Sequence, residues 1–412
     1  MLVHQAYRYE LDPTASQRVL LAKHAGTARF AFNWGLALCK ERLEHQESVP
    51  HGAELHRLWN VFKRENAAWW VEVSKCSPQK SLRDLDRAFG NFWRGRKEGR
   101  RAGFPRFKRK GVHDGFRLTG SIHVEPRHIV LPRLGAIRTK EATGKFRGRI
   151  LSASISREAD RWYVSLTVER ERPDPVPVAG PVVGVDLGLS SFAALSDGTR
   201  LQSPKALERS LRRLQRASRA HSRKQRGSHN RRKSAMRLAR LHRRIRNQRQ
   251  DFLHQATTAL AKTKSVIVVE DLNVRGMVRN RRLARHIADA GWSEFRRLLA
   301  YKTVWYGSQL LLAPRFFASS KTCSDCGAVK ADLTLSERVF RCEACDLVMD
   351  PRSQRGLEPC EGRREFPGDG KRLWRTCKTR AGLSDREAWA VSCEAGIERC
   401  AGSLRFERVC VD

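Results

Sequence analysis

Two short apolar runs, each carrying an acidic residue, are the clearest feature of the hydrophobic pattern. The first is Val182–Ser191, which carries Asp186, and the second is Ser265–Val274, which carries Glu270. Short β-branched runs bounded by turn residues are typical of buried strands. A carboxylate in such a strand is costly unless a cation meets it. The two runs together therefore suggest a site for a divalent metal.

The amino-terminal part of the chain changes periodicity twice. Residues 3–10 alternate as a half-buried strand does, whereas residues 12–95 repeat apolar side chains every three or four positions and predict a small module of three helices. Residues 115–170 return to short apolar segments between turn residues, which indicates a compact β-barrel-like unit. We expect the first strand to complete this unit, so that the helices are an insertion in it. The Pro-rich segment 171–180 predicts a domain boundary.

Beyond this boundary, strands alternate with basic helices. Residues 193–198 predict a hairpin because they end in an Asp-Gly turn. In residues 205–250 the leucines keep helical spacing, and we predict two helices around 227–230, with one packed face and one face directed at phosphates. The remaining predicted elements are a further helix over 251–264, a helix over 303–312 and a strand over 314–317.

Composition adds a nucleic-acid partner to this picture. The 412 residues include 81 Lys and Arg against 43 Asp and Glu, a formal net charge of +38. A chain this basic repels itself unless a polyanion neutralises it. No apolar run approaches the ~18 residues of a spanning helix, and no signal-peptide pattern precedes the first strand. We therefore expect a cytoplasmic, nucleoid-associated protein without a membrane partner, in which the 11 cysteines serve metal binding or remain free thiols.

The candidate phosphate contacts lie in two basic segments. One is the Gly-rich stretch 94–110, dotted with Phe104 and Phe107, which we expect to be flexible and to offer its aromatic rings for stacking. A solvated linker is the alternative there. The other segment is the helical region 205–250. The residues expected to contact nucleic acid are Lys108, Arg109, Arg212, Arg213, Arg216, Arg223, Lys224, Arg231, Arg232 and Lys233.

Four cysteines form the strongest local motif. Cys323 and Cys326 make one Cys-x-x-Cys pair, and Cys342 and Cys345 make a second. Two such pairs separated by a loop of this length are the pattern of a four-thiolate zinc ribbon. A site closed by four thiolates is structural and leaves no open position for catalysis. The motif therefore predicts a bound Zn²⁺ but no reaction.

Taken in order, these motifs resemble the TnpB family, which consists of transposon-encoded RNA-guided DNA nucleases related to the compact type V CRISPR effectors. The resemblance implies an α/β and β multidomain protein with guide RNA and target double-stranded DNA as partners. It also implies that Asp186 and Glu270 hold catalytic Mg²⁺ or Mn²⁺, hard cations that suit carboxylate oxygens. The most specific matching segments are Gly184–Gly188, Val269–Asn273, Ser319–Gly327 and the second cysteine pair.

The same resemblance implies a domain order. A wedge β-barrel would contain an inserted helical recognition module, and an RNase H-like (RuvC) domain would follow, interrupted by the zinc ribbon. The tail after the ribbon, which should complete the RuvC domain, is aberrant in this chain. The expected ranges are 1–11 and 104–175 for the barrel, 12–103 for the helical module, 181–322 for the RuvC-like domain, 323–349 for the zinc ribbon and 350–412 for the tail.

The resemblance breaks directly after the second cysteine pair. The family pattern there is Asp-Arg-Asp-x-Asn-Ala-Ala, and its second Asp is the third catalytic acid. This chain instead begins Asp350-Pro-Arg-Ser-Gln and places Arg352 at the catalytic position. A guanidinium cannot ligate a cation and would repel it. We therefore expect no cleavage by this chain.

A reading-frame shift is our hypothesis for the altered tail. If one base is dropped within the Pro351 codon, the following codons permit the family motif. In the same shifted frame, residues 371–374 permit Asn-Ala-Cys-Gly, another family signature, and the single Trp codon forces its Gly. Three functions remain open at this stage: an RNA-guided DNA endonuclease damaged in this copy, a nuclease-dead RNA-guided DNA-binding repressor, and a guide-free zinc-ribbon DNA-binding transposition factor.

Overall fold

The chain divides into two compact units, Met1–Pro173 and Asp174–Asp412. The division falls inside the Pro-rich segment 171–180, where the sequence predicts a boundary. Within the part of the chain that is described, no helix is long and apolar enough to cross a bilayer. The computed structural model describes residues 1–313, 328, 340–345 and 348–349.

The first unit begins with a strand, continues with three helices and ends with six strands. This order matches the predicted change from strand to helix and back. A single 3-10 turn, Ala68–Glu72, separates the second and third helices. The elements are β1 (Leu2–Leu11), α1 (Ala15–Glu44), α2 (Gly52–Asn66), α3 (Cys76–Lys97), β2 (Gly115–Leu118), β3 (His123–Glu125), β4 (His128–Leu131), β5 (Gly135–Arg138), β6 (Arg149–Glu158) and β7 (Arg161–Glu171).

Two antiparallel sheets of the first unit share one core. Their strand orders are β1-β7-β6-β2 and β3-β4-β5, and a bridge between Leu11 and Thr139 links them. β1 pairs with β7 along its whole length, so the first strand completes the β unit as predicted and the helices are an insertion. Leu118, Ile129 and Val164 bring both sheets into the same buried cluster.

The three inserted helices begin and pack as the sequence predicts. Thr14 caps α1, because its hydroxyl accepts a hydrogen bond from the Gln17 backbone while the Gln17 side chain accepts one from the Thr14 backbone. A second core lies between the helices and includes Leu36 and Trp59. Gly35 allows this close packing, since a Cβ at that position would lie 3.0 Å from the Leu82 and Leu85 side chains.

The basic segment 94–110 corrects one expectation. Its first residues belong to α3, which continues to Lys97. The Phe104 ring packs edge-on against Phe89 and Phe92, with ring centroids 5.4 and 5.3 Å apart. The prediction of a flexible segment with both aromatic rings available is therefore wrong for Phe104, whose ring is part of the helical core.

The Asn33 side chain holds the same segment against α1. Its Nδ2 donates to the Lys108 carbonyl oxygen at 2.9 Å, and the Lys108 backbone N–H donates to its Oδ1 at 2.7 Å. Phe107 remains 47% exposed, with the Lys40 ammonium 5.0 Å from its ring centroid. One amide side chain thus pairs with the backbone as a neighbouring strand would.

Replacing Asn33 with Ala is expected to loosen this segment. Two hydrogen bonds worth about 1–3 kcal/mol together would be lost. The segment should therefore open roughly 5- to 150-fold more often, because 1.4 kcal/mol is a factor of ten. Trypsin cleavage of the folded chain after Arg106, Lys108, Arg109 and Lys110 measures this opening. Asn66→Ala is the matched control, since Asn66 Nδ2 makes a single exposed bond to the Phe62 carbonyl. Equal cleavage rates in the two variants would contradict the assignment.

His24 is a buried, neutral histidine in the first unit. Its Nδ1 lies 2.8 Å from the Leu20 carbonyl oxygen and donates to it, while its Nε2 accepts a hydrogen bond from the Ser74 backbone at 3.0 Å. Both ring nitrogens are therefore occupied only if Nε2 carries no proton. Burial lowers the pKa of His24, in agreement with this arrangement.

The stability of the first unit is expected to fall as pH drops below about 6.5, the unperturbed histidine pKa. Below that value the unfolded chain binds a proton at His24 that the folded chain does not bind until its own lower pKa, so acid favours unfolding. Hydrogen exchange of the Ser74 amide between pH 7.5 and 5.5 measures this trend. His24→Leu should flatten it, whereas His123→Gln, at an exposed position, should not. An unchanged slope in His24→Leu would refute the prediction.

The second unit combines a five-stranded sheet with helices. The hairpin predicted over residues 193–198 is present, since β9 and β10 pair antiparallel on either side of that turn. The elements are β8 (Val183–Leu187), β9 (Ala193–Leu195), β10 (Arg200–Leu201), α4 (Ala206–Ser222), α5 (His229–Thr263), β11 (Val266–Glu270), α6 (Val274–Met277), α7 (Ala284–Ala290), α8 (Trp292–Tyr306), β12 (Gln309–Ala313), β13 (Phe340–Arg341) and β14 (Val348–Met349).

The sheet has the strand order β10-β9-β8-β11-β12. β11 lies parallel to β8 on one side and to β12 on the other, whereas β9 is antiparallel to β8. Phe192 and Phe295 meet edge-on in the adjoining core, with ring centroids 5.1 Å apart. α5 and α8 contribute Leu253 and Leu299 to the same cluster, so helices cover the sheet that carries both acidic residues.

Two predicted elements of the second unit are corrected. The separate helix over 251–264 is the carboxyl half of α5, which runs without interruption because its 35 residues contain neither Gly nor Pro. The helix predicted over 303–312 ends at Tyr306, because Gly307 adopts a left-handed conformation with φ 80°, and a strand follows it. The strand predicted over 314–317 lies outside the described residues.

Candidate functional site

Asp186 and Glu270 lie at the same edge of the central sheet. The parallel register of β8 and β11 pairs Val185 with Val269, and the two acidic residues come next on each strand. Successive side chains of a strand alternate between faces, so both carboxylates leave the sheet on one side. Neighbouring strands lie about 4.8 Å apart. The sequence suggestion that the two acids share one place is therefore supported by the topology.

The surroundings of these carboxylates differ from the core behind them. Val185 and Val269 are 3% and 1% exposed, whereas Asp186 and Glu270 are half-buried. The following residue, Asp271, has its Oδ1 at 2.5 Å from an Arg296 guanidinium nitrogen. The strands are thus anchored by buried valines, while the two carboxylates that follow them remain partly accessible to solvent.

The donor set agrees in kind with a hard cation but is incomplete in number. Carboxylate oxygens are the ligands that Mg²⁺ and Mn²⁺ prefer. Among the described residues, no group of three or more His, Cys, Asp and Glu side chains could hold a metal ion. Among the described residues, Asp186 and Glu270 stand at this edge with Asp271 next to Glu270. Arg352, which the family resemblance aligns with a third acid, lies outside the described residues.

The second cysteine pair is carried by a hairpin. β13 and β14 pair antiparallel, with Arg341 opposite Val348, and Cys342 and Cys345 lie in the loop between them. Cys342 is 2% exposed, and its sulfur accepts a hydrogen bond from the Ala344 backbone at 3.4 Å. An acceptor sulfur at a turn suits a metal-bound thiolate. The first pair, Cys323 and Cys326, lies outside the described residues.

The basic helices α4 and α5 form a pair joined by a short turn. His221 Nδ1 and Ser234 Oγ lie 2.8 Å apart between the two helices. Arg231 is half-buried, and its guanidinium donates to the carbonyl oxygens of His221 and Lys224 at 3.2 and 2.8 Å. Arg231 thus stabilises the turn through backbone carbonyl oxygens. These hydrogen bonds compete with the phosphate contact predicted for the same guanidinium. The other predicted contacts on these helices are exposed: Arg212, Arg213, Arg216, Arg223, Lys224, Arg232 and Lys233.

In the first unit the two predicted basic contacts differ from each other. Arg109 is exposed, whereas the Lys108 ammonium lies 3.9 Å from the Phe32 ring centroid. Burial lowers the pKa of Lys108. Lys80 and Arg117, which the sequence analysis did not select, share a cavity with Lys108. Lys80 lies on α3 and Arg117 lies on β2. Their positions in the sequence do not show that these two elements pack together, so the sequence alone could not identify the pair.

Three protein-family models match the chain. The OrfB-type model described as "Helix-turn-helix domain" covers residues 1–48, where the structure has the strand β1 and the single helix α1. The OrfB-type model described as "Probable transposase" covers residues 165–281, which include Asp186 and Glu270. The model described as "Cas12f1-like, TNB domain" covers residues 292–351.

Curated relatives match most of the chain. "Putative RNA-guided DNA endonuclease InsQ" of Escherichia coli (strain K12) is 36% identical over 359 residues, which cover 82% of this chain and 87% of the relative. A protein of Streptomyces pristinaespiralis with the same description, without the name InsQ, is 34% identical over 409 residues, covering 96% of this chain and 99% of the relative. The second match necessarily extends past residue 351.

A solved structure shares the fold. It is described as "Cryo-EM structure of the Cas12f1-sgRNA-target DNA complex", and its protein chain matches with a TM-score of 0.53 at 12% identity. The match covers 88% of this chain and 99% of that chain. At this identity the likeness concerns the fold alone.

Proposed function

We propose that this chain, which belongs to the TnpB family of OrfB-type transposase-related proteins, is an RNA-guided DNA-binding protein built as a metal-dependent endonuclease, and that this copy has lost cleavage. The relatives described as RNA-guided DNA endonucleases are more than 30% identical to it across most of its length.

The placement of Asp186 and Glu270 on adjacent parallel strands carries this proposal. In the sheet order β10-β9-β8-β11-β12, the first and fourth strands along the chain lie side by side in the centre. This arrangement is the one expected of an RNase H-like RuvC domain, and it supports the assignment of 181–322 to such a domain. The cysteine hairpin after it supports the zinc-ribbon assignment of 323–349.

The residues of the site have distinct roles in this proposal. A bound Mg²⁺ or Mn²⁺ would polarise the scissile phosphate and make a water nucleophilic. Asp186 and Glu270 would hold that cation through carboxylate oxygens from one edge of the sheet. The exposed arginines and lysines of α4 and α5 would bind phosphates of the guide or the target and so hold the strand in place. Base pairing with the guide would supply the sequence selection.

Loss of cleavage follows from the residue at position 352. The family resemblance expects an aspartate at this position, and an arginine supplies no oxygen donor and carries a positive charge that would repel a cation. The frameshift hypothesis accounts for this change, because codons for the residues after Pro351 permit the family motif in a shifted frame. Sequencing of the locus tests it directly, because an uninterrupted frame shared by related copies would remove it.

A second candidate is a nuclease-dead, RNA-guided DNA-binding repressor. The match to the Streptomyces pristinaespiralis relative extends into the tail. This favours the second candidate, because a similar carboxyl-terminal segment in a relative is expected if the tail is a retained part of the protein. In that case the tail is native to the protein and the basic surfaces still bind RNA. The guide-free transposition factor is the remaining alternative.

Sequencing of RNA bound to the purified chain tests the proposed function. We expect the full chain, expressed from its own locus, to retain one abundant small RNA through a wash in moderate salt. The charge reversals Arg212→Glu and Arg216→Glu, both at exposed positions of α4, should reduce this RNA severalfold. Arg149→Gln, at an exposed strand position, is the control. A chain that carries only heterogeneous RNA would favour the guide-free alternative.

A further inference from the structure

A small cationic cavity in the first unit lies outside the features used so far. It has a volume of about 190 Å³ and lies between α3, the strands β2 and β6, and the docked segment that ends near Lys108. A water molecule needs only about 10–15 Å³ of such volume, so the cavity can admit a small polar group.

Positive charge dominates the walls of this cavity. Lys80, Lys108 and Arg117 line it together with a single carboxylate, Asp84. The Arg117 guanidinium lies 3.7 Å from the Asp84 carboxylate, and the same carboxylate also attracts Lys80 and Lys108. Burial, and then the neighbouring Arg83, lowers the pKa of Lys80, to which Arg117 also contributes. Three cationic side chains thus line the cavity against one carboxylate, and a bound anion would offset the excess of positive charge.

Two of the hydroxyl groups in the wall are already committed to the fold. Ser77 Oγ donates to the His24 carbonyl oxygen at 2.8 Å, and Ser81 Oγ donates to the Ala28 carbonyl oxygen at 2.5 Å. They hold the helix α3 against α1 on either side of Lys80. The third lining hydroxyl belongs to Ser154 on β6.

We propose that this cavity binds one phosphate group through Lys80, Lys108 and Arg117. A phosphate presents several acceptor oxygens, which three cationic donors on different elements can satisfy at once. Such a group can come from a nucleic-acid backbone or from free inorganic phosphate. The first source extends the proposed function, on which it rests, whereas the second is independent of it.

The test uses the full chain, freed of bound nucleic acid by high salt. Binding of a 20-nucleotide single-stranded RNA is measured at several salt concentrations for the native chain, Lys80→Gln and Arg117→Gln. Each variant is expected to lower the slope of log K against log salt by about 0.7, the value for one lost phosphate contact on a single strand. Arg149→Gln is the control, because this exposed arginine lies 3.9 Å from Glu169 and away from the cavity residues.

The second arm measures inorganic phosphate by isothermal titration calorimetry. Binding to the native chain that disappears in both variants, with RNA slopes unchanged, assigns the cavity to free phosphate. Altered slopes without phosphate binding assign it to a nucleic-acid backbone. Lys80→Arg, which keeps the charge, should retain either signal and excludes misfolding as the cause. If neither signal differs between the native chain and the variants, the proposal fails, while the small RNA bound by the native chain still decides the proposed function separately.

Discussion

A guide-matched DNA duplex is expected to remain intact when it is incubated with this chain, its RNA and Mg²⁺. The chain supplies Asp186 and Glu270 at one edge of the sheet. In the proposed function, Arg352 stands where the family has a third acid, and its guanidinium would supply no oxygen donor and would repel a cation. Removal of a single group that stabilises the transition state typically costs on the order of 10²–10³-fold in rate. Gel analysis of the labelled duplex over several hours measures the loss.

Restoring the reading frame within codon 351 is the informative comparison. If the shifted frame encodes the family motif that the codons permit, the restored chain should cleave, with a rate at least on the order of 10²-fold above the present chain. Asp186→Ala in the restored chain is the matched control, because it removes one of the two acids on the sheet edge and should abolish cleavage again. Efficient cleavage by the present chain would show that Arg352 does not occupy the position of a catalytic acid.

One Zn²⁺ per chain is the second large expectation. Structural zinc in small thiolate sites contributes an apparent ~10–16 kcal/mol at pH 7, so the ribbon should keep its metal through dialysis. Cys342→Ala removes the buried sulfur that accepts the Ala344 N–H and should reduce the zinc content to background. Elemental analysis by mass spectrometry gives the zinc content per chain.

A cysteine in the first unit provides the control for zinc. Cys76 is half-buried at the start of α3, and its sulfur lies 3.5 Å from the Thr119 carbonyl oxygen. Cys76→Ser should leave the zinc content unchanged, whereas Cys345→Ser should lower it as Cys342→Ala does. A native chain that contains no zinc after expression in zinc-supplemented medium would rule out the ribbon.

Local periodicity was sufficient to predict most elements of the fold. The strands and the three inserted helices carry their own apolar patterns, and the Thr14 cap and the Asp-Gly turn mark their ends. The prediction of a separate helix over 251–264 is wrong because no Gly or Pro interrupts α5, although its composition changes from arginine-rich to apolar along its length. Composition changes along a helix when its surroundings change, without any change in the backbone.

Contacts between segments that are distant in the sequence could not be predicted from local periodicity. The docking of residues 104–110 depends on the Asn33 amide and on the Phe104 ring. No local sequence pattern indicates which residues these two side chains contact. The neighbouring placement of Asp186 and Glu270 was predictable, because parallel strands bring their carboxyl ends to one edge. The cationic cavity was not predictable, because its charged side chains come from one helix, one strand and one loop.

The unbroken helix α5 has a mechanical consequence. Its 35 residues span about 52 Å at ~1.5 Å per residue, and only Lys264 and Ser265 separate it from the strand that ends in Glu270. The length of the helix therefore sets the distance and the angle between the basic residues at its amino-terminal end and the Glu270 carboxylate. One inserted residue would turn that tip by ~100°, so the length of this segment is as constrained as its charge.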